Sequence, residues 1–82
     1  MDEVTGLTLI TRVDCGLCED LARDLSRLGV AFSTVDVDQD PRLISLYNEC
    51  VPVLLQDGRE LARAPLTEHE LRKALRQAGT LP

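Results

Sequence analysis

Residues 7–18 read LTLITRVDCGLC, and this stretch decides the fold. It opens with the apolar run Leu7–Ile10, whose length is typical of a short buried strand, and it ends in the pair Cys15 and Cys18. From Cys18 onward, apolar residues recur at the spacing of one helix face: Leu21, Ala22, Leu25 and Leu28. Gly29 follows, where a glycine favours helix termination. The stretch therefore predicts a strand that leads through a Cys-x-x-Cys sequence into a helix.

The middle of the chain predicts a second strand and a short helix. Residues 30–37 have the character of a strand, in which two valines alternate with aspartates: Val35, Asp36, Val37 and Asp38. Asp40-Pro41 then predicts a helix start, since aspartate is a favoured N-cap and proline is favoured at the first helical position. The helix that follows carries the apolar residues Leu43, Ile44, Leu46 and Tyr47.

The last third of the chain predicts a hairpin and a final helix. Residues 51–55, VPVLL, indicate a buried strand, and Asp57-Gly58 is a strong signal for a tight turn into a strand at residues 60–62. Thr67 and Glu70 have the spacing of a capping box, which opens a helix. Its predicted buried face is Leu71, Ala74, Leu75 and Ala78, and Gly79 ends it.

The element order is therefore β-α-β-α-β-β-α in one α/β domain spanning residues 1–82. A βαβ unit gives two neighbouring parallel strands, and the hairpin adds two antiparallel ones. We expect a four-stranded mixed sheet covered by three helices.

The composition excludes several function classes. The 82 residues carry a formal net charge of −5 and only 2% aromatic residues, which opposes binding to nucleic acids or to anionic membranes. The acidic start, Met1-Asp2-Glu3, is unlike a secretory leader, and three cysteines are too few for a disulfide-dense secreted domain. We expect a cytoplasmic monomer that needs no cofactor.

Cys15 and Cys18 are the residues on which chemistry is expected. A helix N-terminus leaves backbone N–H groups without partners and carries a positive dipole end, so a thiolate there is stabilised and nucleophilic. The two-residue spacing lets a second sulfur attack the mixed disulfide that the first one forms. We predict that Cys15 attacks, that Cys18 resolves, and that Gly16 leaves the approach open.

Acidic neighbours moderate this activation. Asp14 precedes the attacking cysteine, and Glu19 and Asp20 follow it closely. Negative charge opposes formation of a thiolate, whereas Arg12 offsets part of that effect. We therefore predict a moderately activated cysteine.

Two other interpretations of the cysteines remain open. Cys15, Cys18 and Cys50, with or without His69, could bind a metal ion, although zinc ligands more often come as two local pairs. The cysteines could also be inert core residues. The strand–helix context and the later Pro52 favour disulfide exchange over both.

Three motifs make the chain similar to the glutaredoxins, and most of all to the short bacterial glutaredoxin-like proteins of unknown function. These motifs are the C-x-L-C start at residues 15–18, the V-P-V-L strand at residues 51–54 and the G-R-E-L stretch at residues 58–61. The resemblance implies a thioredoxin-type fold and a cis Val51–Pro52 bond that faces the dithiol. With the residues around the dithiol, this predicts a substrate surface made of Arg12, Gly16, Leu17, Val51 and Pro52.

The chain departs from the glutaredoxin pattern after the hairpin, at Arg12, at Gly16-Leu17 and at Cys50. Glutaredoxins that use glutathione carry a Gly-Gly-x-x-Asp stretch after the hairpin, where this chain has residues 62–66, ARAPL. We therefore expect a disulfide-containing protein or a small thiol as the partner, and not glutathione as the dedicated one. Cys50 stands two residues before Pro52, either as a small space-filling residue or as a third thiol of the site. A binding module that keeps the fold without general redox activity is the remaining alternative.

Overall fold

The computed structural model describes residues 6–48 and 51–81. The elements in chain order are β1 (Leu7–Thr11), α1 (Gly16–Arg27), β2 (Ser33–Asp36), a single-turn 3-10 helix (Val37–Gln39), α2 (Pro41–Tyr47), β3 (Val53–Gln56), β4 (Arg59–Arg63) and α3 (Glu68–Gln77). The predicted order β-α-β-α-β-β-α is confirmed.

The four strands form one mixed sheet in the order β2-β1-β3-β4. β1 pairs in parallel with β2 and antiparallel with β3, and β3 pairs antiparallel with β4. In the β1–β3 register, Ile10 lies opposite Val53. The end of β1 that leads to Cys15 therefore lies beside the start of β3, which follows Val51-Pro52.

Both faces of the sheet are covered by apolar side chains. The larger cluster lies under α1 and α3 and is built from aliphatic side chains: Leu7, Leu9, Leu21, Leu25, Val30, Leu54, Leu71 and Leu75. The smaller cluster is Ile10, Val37, Val53 and Leu55, and Leu43, Ile44 and Tyr47 of α2 pack against it. The buried residues of both clusters are aliphatic, and the larger cluster joins β1 to α1.

The predicted turn and caps are present. Gln56 pairs with Arg59, so Asp57 and Gly58 alone form the β3–β4 turn, both with positive φ (52° and 84°), as a primed hairpin turn requires. Thr67 and Glu70 form the reciprocal capping box of α3. Similarly, the Asp40 side chain accepts the Arg42 N–H at 2.9 Å at the start of α2.

Two strands begin later than predicted. β2 covers residues 33–36 instead of 30–37, because the Val30 N–H still bonds the Leu25 carbonyl of α1 and Val37 starts the 3-10 helix. β3 begins at Val53 instead of residue 51, where the preceding Pro52 has no N–H to donate to a ladder. At the sheet end that carries the cysteines, β3 loses residues 51–52 and β2 loses Val37, whereas residues 30–32 are lost from β2 at the opposite end.

Candidate active site

Cys15 is the N-cap of α1. Its backbone is extended (φ −110°, ψ 107°), and its Sγ accepts the backbone N–H of Cys18 at 3.2 Å. The sulfur thus takes the position in which a serine or aspartate oxygen usually satisfies a free N–H of the first turn. A donated N–H and the positive end of the helix dipole both favour a negatively charged sulfur.

The backbone around Cys15 leaves the thiol accessible. Asp14 adopts a left-handed conformation (φ 60°), which aspartate tolerates better than most residues, and so turns the chain from β1 into α1. Gly16 is exposed, and a Cβ atom built on it would meet no atom within 4 Å. Cys15 itself is partly exposed, so a substrate sulfur can reach it from the Gly16 side.

Cys18 differs sharply from Cys15. Only 3% of the residue is exposed, and it lies with Leu21 and Leu25 among the buried residues of α1. Burial, together with a hydrogen bond to the Cys15 sulfur, raises the pKa of Cys18 to about 11. At neutral pH this thiol is therefore protonated, and it lies one helical turn from the accessible sulfur.

Val51 and Pro52 precede β3, whose start lies beside the end of β1 that leads to Cys15. The Val51–Pro52 peptide bond is cis, and so is Ala64–Pro65. Pro52 is buried, and its carbonyl accepts the Ala64 N–H at 3.1 Å. Val51 is partly buried against the smaller apolar cluster, and no residue of the described ranges bonds its backbone. The hydrogen bond between Ala64 and Pro52 holds the segment after β4 next to the segment before β3.

A groove separates the first turns of α1 from the segment Ala64–Leu66. It has a volume of about 290 Å³, and its walls include Leu17, Leu21, Ala64 and Pro65. Leu17 is 52% exposed. The sequence identified Leu17 but gave no signal for Pro65, because nothing in the local pattern places residues 64–66 against α1.

Arg12 is held by two partners on the other side of the site. Its Nε and Nη2 donate to the two carboxylate oxygens of Asp38, each at 3.0 Å. Nη1 donates to the Asn48 carbonyl at 2.9 Å, and Nη2 also donates to the Asn48 side chain at 2.7 Å. The guanidinium holds the pKa of Asp38 below its usual range. Sequence reasoning found Arg12 but had no signal for Asp38 or Asn48 as its partners.

The remaining predicted ligands do not form a cluster in the described part of the chain. Cys50 lies outside the described residues, and so does the metal set or third thiol predicted with it. His69 is exposed in the first turn of α3. In residues 6–48 and 51–81, no three His, Cys, Asp or Glu side chains lie close enough together to hold a metal ion.

Residues 6–76 match the family model described as glutaredoxin-like domain (DUF836). The chain belongs to this family. The uncharacterized protein Rv0508 of Mycobacterium tuberculosis is 38% identical over 73 residues, which cover 78% of this chain and 75% of that protein.

Solved structures share the fold. The X-ray structure of the structural genomics target XcR50 from X. campestris is 38% identical, with a TM-score of 0.78, and the match covers 87% of this chain and 96% of that chain. A buckwheat glutaredoxin–glutathione complex is 17% identical, with a TM-score of 0.66 over 98% of this chain and 84% of that chain. The glutaredoxin-like fold therefore brings Cys15 and Cys18 together at the start of α1. Within the described ranges, no helix has the length and apolar content needed to cross a bilayer.

Proposed function

We propose that this protein is a dithiol–disulfide oxidoreductase in which Cys15 attacks a substrate disulfide and Cys18 resolves the mixed disulfide. One observation carries the proposal: two thiols one helical turn apart differ in exposure and in protonation. The Cys15 sulfur is accessible and accepts the Cys18 N–H, whereas the Cys18 thiol is buried and has its pKa raised to about 11. Such a difference assigns one nucleophile and one reserve thiol.

In the first step, the Cys15 thiolate attacks one sulfur of the substrate disulfide. A Cys15–substrate S–S bond forms while the substrate S–S bond breaks, and the released substrate sulfur takes up a proton. Cys18 does not compete in this step, because its thiol stays protonated and shielded at neutral pH.

In the second step, Cys18 loses its proton and attacks the Cys15 sulfur. The Cys15–Cys18 bond forms while the Cys15–substrate S–S bond breaks, and the second substrate sulfur leaves and takes up a proton. Formation of the mixed disulfide removes two of the causes that raise the Cys18 pKa, namely the hydrogen bond to the Cys15 sulfur and the negative charge on it. Cys18 thus becomes a better nucleophile once Cys15 is occupied. The product is the Cys15–Cys18 disulfide, and the substrate has gained two electrons and two protons. An external thiol reductant restores the dithiol.

Val51 supplies a docking edge for an extended substrate. Its backbone lies in the segment before β3, next to the end of β1, and no described residue bonds it. A substrate segment can pair with this backbone in the manner of an added strand. Such pairing would hold the substrate sulfur beside Cys15.

The test is a single-turnover reaction with pre-reduced protein and a synthetic peptide disulfide, without added reductant. All proteins carry Cys50→Ser, so that two thiols are present. The parent protein is expected to release two thiols per chain and to end as the internal disulfide. Cys18→Ser should release one thiol and retain the other peptide half as a mixed disulfide that mass spectrometry detects.

Cys15→Ser distinguishes this mechanism from its alternatives. It should release thiol no faster than a free cysteine at the same pH. Full activity in this variant would overturn the assignment of Cys15 as the attacking residue. A parent protein that leaves every peptide disulfide intact would instead favour a binding module with the same fold.

A further inference from the structure

The charge around the dithiol is strongly one-sided. Residues 13–24 contain four carboxylates and a single cationic side chain, Arg23. The carboxylates are Asp14, Glu19, Asp20 and Asp24. Cys15 lies inside this segment, so a substrate approaching it enters a region of negative potential.

The two acidic residues nearest Cys15 are also the two without an ion pair in the described structure. Asp20 pairs with Arg23 at 3.0 Å, and Asp24 pairs with Arg27 at 2.7 Å. Asp14 is exposed directly before Cys15. Glu19 is exposed four residues after it, the spacing that makes neighbours on a helix surface.

The nearby cation that could reverse this potential is already engaged. Arg12 donates to both carboxylate oxygens of Asp38 and to Asn48. Its charge is therefore largely compensated, and four of its five N–H groups donate to Asp38 and Asn48. An anionic substrate would find no free guanidinium on this side of the dithiol in the described residues.

Apolar surface accompanies the negative charge. Val13 is 70% exposed, and Leu17 borders the groove of about 290 Å³ that Pro65 closes on the far side. The groove wall is mixed, because Asp20, Arg23 and Asp24 line it together with apolar residues such as Leu17 and Pro65. Exposed aliphatic side chains thus stand on both sides of Cys15 in the chain, next to a groove that has room for a side chain of a bound segment.

We propose that the substrate is a disulfide in a positively charged polypeptide segment, with an apolar residue next to the attacked cysteine. This proposal rests on the exchange function proposed above and specifies its substrate. Basic residues of the segment face Asp14 and Glu19, and the apolar side chain enters the groove beside Leu17. Glutathione disulfide carries a net negative charge and is disfavoured by the same potential.

The experiment compares three synthetic peptide disulfides of equal length, each with leucine next to the cysteine and with lysine, glutamine or glutamate flanks. The second-order rate constant of thiol release is measured with pre-reduced protein. At low ionic strength we expect the lysine peptide to react about fivefold or more faster than the glutamate peptide. In about 0.5 M NaCl the ratio should fall towards one, because salt screens exposed charges.

Matched variants identify the charges responsible. Asp14→Asn should lower the lysine-to-glutamate rate ratio by about twofold, and Glu19→Gln should act similarly. Asp57→Asn is the control, since Asp57 is also an exposed aspartate with positive φ but lies in the turn at the opposite end of the sheet. The lysine-to-glutamate rate ratio is compared instead of the absolute rates. Removal of a neighbouring charge changes the intrinsic reactivity of Cys15 towards all three peptides alike, and this change cancels in the ratio.

A further variant tests the apolar contact. Leu17→Ser should slow the reaction of the leucine peptides but not of peptides with glycine at that position. Equal rates for the lysine, glutamine and glutamate peptides, or a faster reaction of the glutamate peptide, would overturn this proposal and leave the exchange function standing. No reaction with any peptide would overturn the exchange function and this proposal with it.

Discussion

Cys18 belongs both to the apolar core and to the proposed reaction. Its side chain belongs to the buried face of α1, and only 3% of the residue is exposed. Burial therefore raises the pKa of Cys18 first, and the hydrogen bond to the Cys15 sulfur adds to it. One side chain thus contributes to the core and, in the proposed exchange reaction, supplies the thiol that resolves the mixed disulfide.

At this scale we predict the titration of Cys18. In a Cys15→Ser, Cys50→Ser protein, Cys18 is the single thiol, and the serine hydroxyl keeps a partner beside it. The thiolate absorbance near 240 nm should rise with a midpoint above the value of about 8.5 for a free thiol, because burial persists. In the protein with both cysteines reduced, the raised pKa is about 11.

The same shift has a consequence for stability. Below the pH at which a free thiol titrates, the contribution of Cys18 to the free energy of unfolding is fully present. It is lost as the pH rises towards about 11, because the unfolded chain releases the Cys18 proton more readily than the folded one. A titration midpoint at or below that of a free thiol would contradict the assignment of Cys18 as the reserve thiol.

At the scale of elements, Arg12 connects three pieces of backbone. It follows β1, its two bonds to Asp38 reach the 3-10 helix after β2, and its two bonds to Asn48 reach the end of α2. Asn48 precedes the segment that leads to Val51 and Pro52. We therefore assign Arg12 a positioning role, in which it holds the 3-10 helix and the end of α2 beside the end of β1 that leads to the dithiol.

Arg12→Lys tests this role because lysine keeps the charge but loses the planar fork that binds two partners. We expect the rate of peptide disulfide reduction to fall about three- to tenfold through misplacement of the substrate edge. Alkylation of Cys15 by iodoacetamide should change much less, since the charge near it is kept. Arg63→Lys is the matched control: Arg63 also makes a two-bond pair, with Glu60, on β4. An equal loss of turnover in the two variants would contradict the positioning role assigned to Arg12.

The sequence predicted those elements whose signals are local. The Asp57-Gly58 turn and the Thr67 capping box are encoded by residues a few positions apart, and both are present. The dithiol could be predicted because strand, cysteines and helix are adjacent in the chain. The contacts that complete the site could not: Arg12 reaches Asn48 across 36 residues, and Ala64 bonds Pro52 across the hairpin. Such contacts depend on tertiary packing, which periodicity does not record.

At the scale of the whole molecule, the apolar clusters on the two sheet faces determine stability. Leu9 and Leu54 face each other on the two central strands, and both are fully buried. The larger cluster joins these strands to α1 and α3, so the helix that carries the dithiol is anchored by the same side chains that hold the sheet. The same side chains therefore determine both the stability of the core and the position of the cysteines.

Leu25→Ala tests that dependence. Leu25 is fully buried on α1, and the truncation should lower the free energy of unfolding by about 2–5 kcal/mol, because transfer free energy is lost and a cavity is left. That is a large part of the roughly 5–15 kcal/mol expected for a small domain. Leu46→Ala makes the same chemical change at a helical position that is 65% exposed, and it should alter stability by less than about 0.5 kcal/mol. Urea unfolding of both variants, with all cysteines reduced, measures the difference. Similar losses in the two would mean that α1 is not anchored through the larger cluster, and the burial of Cys18 would then need another explanation.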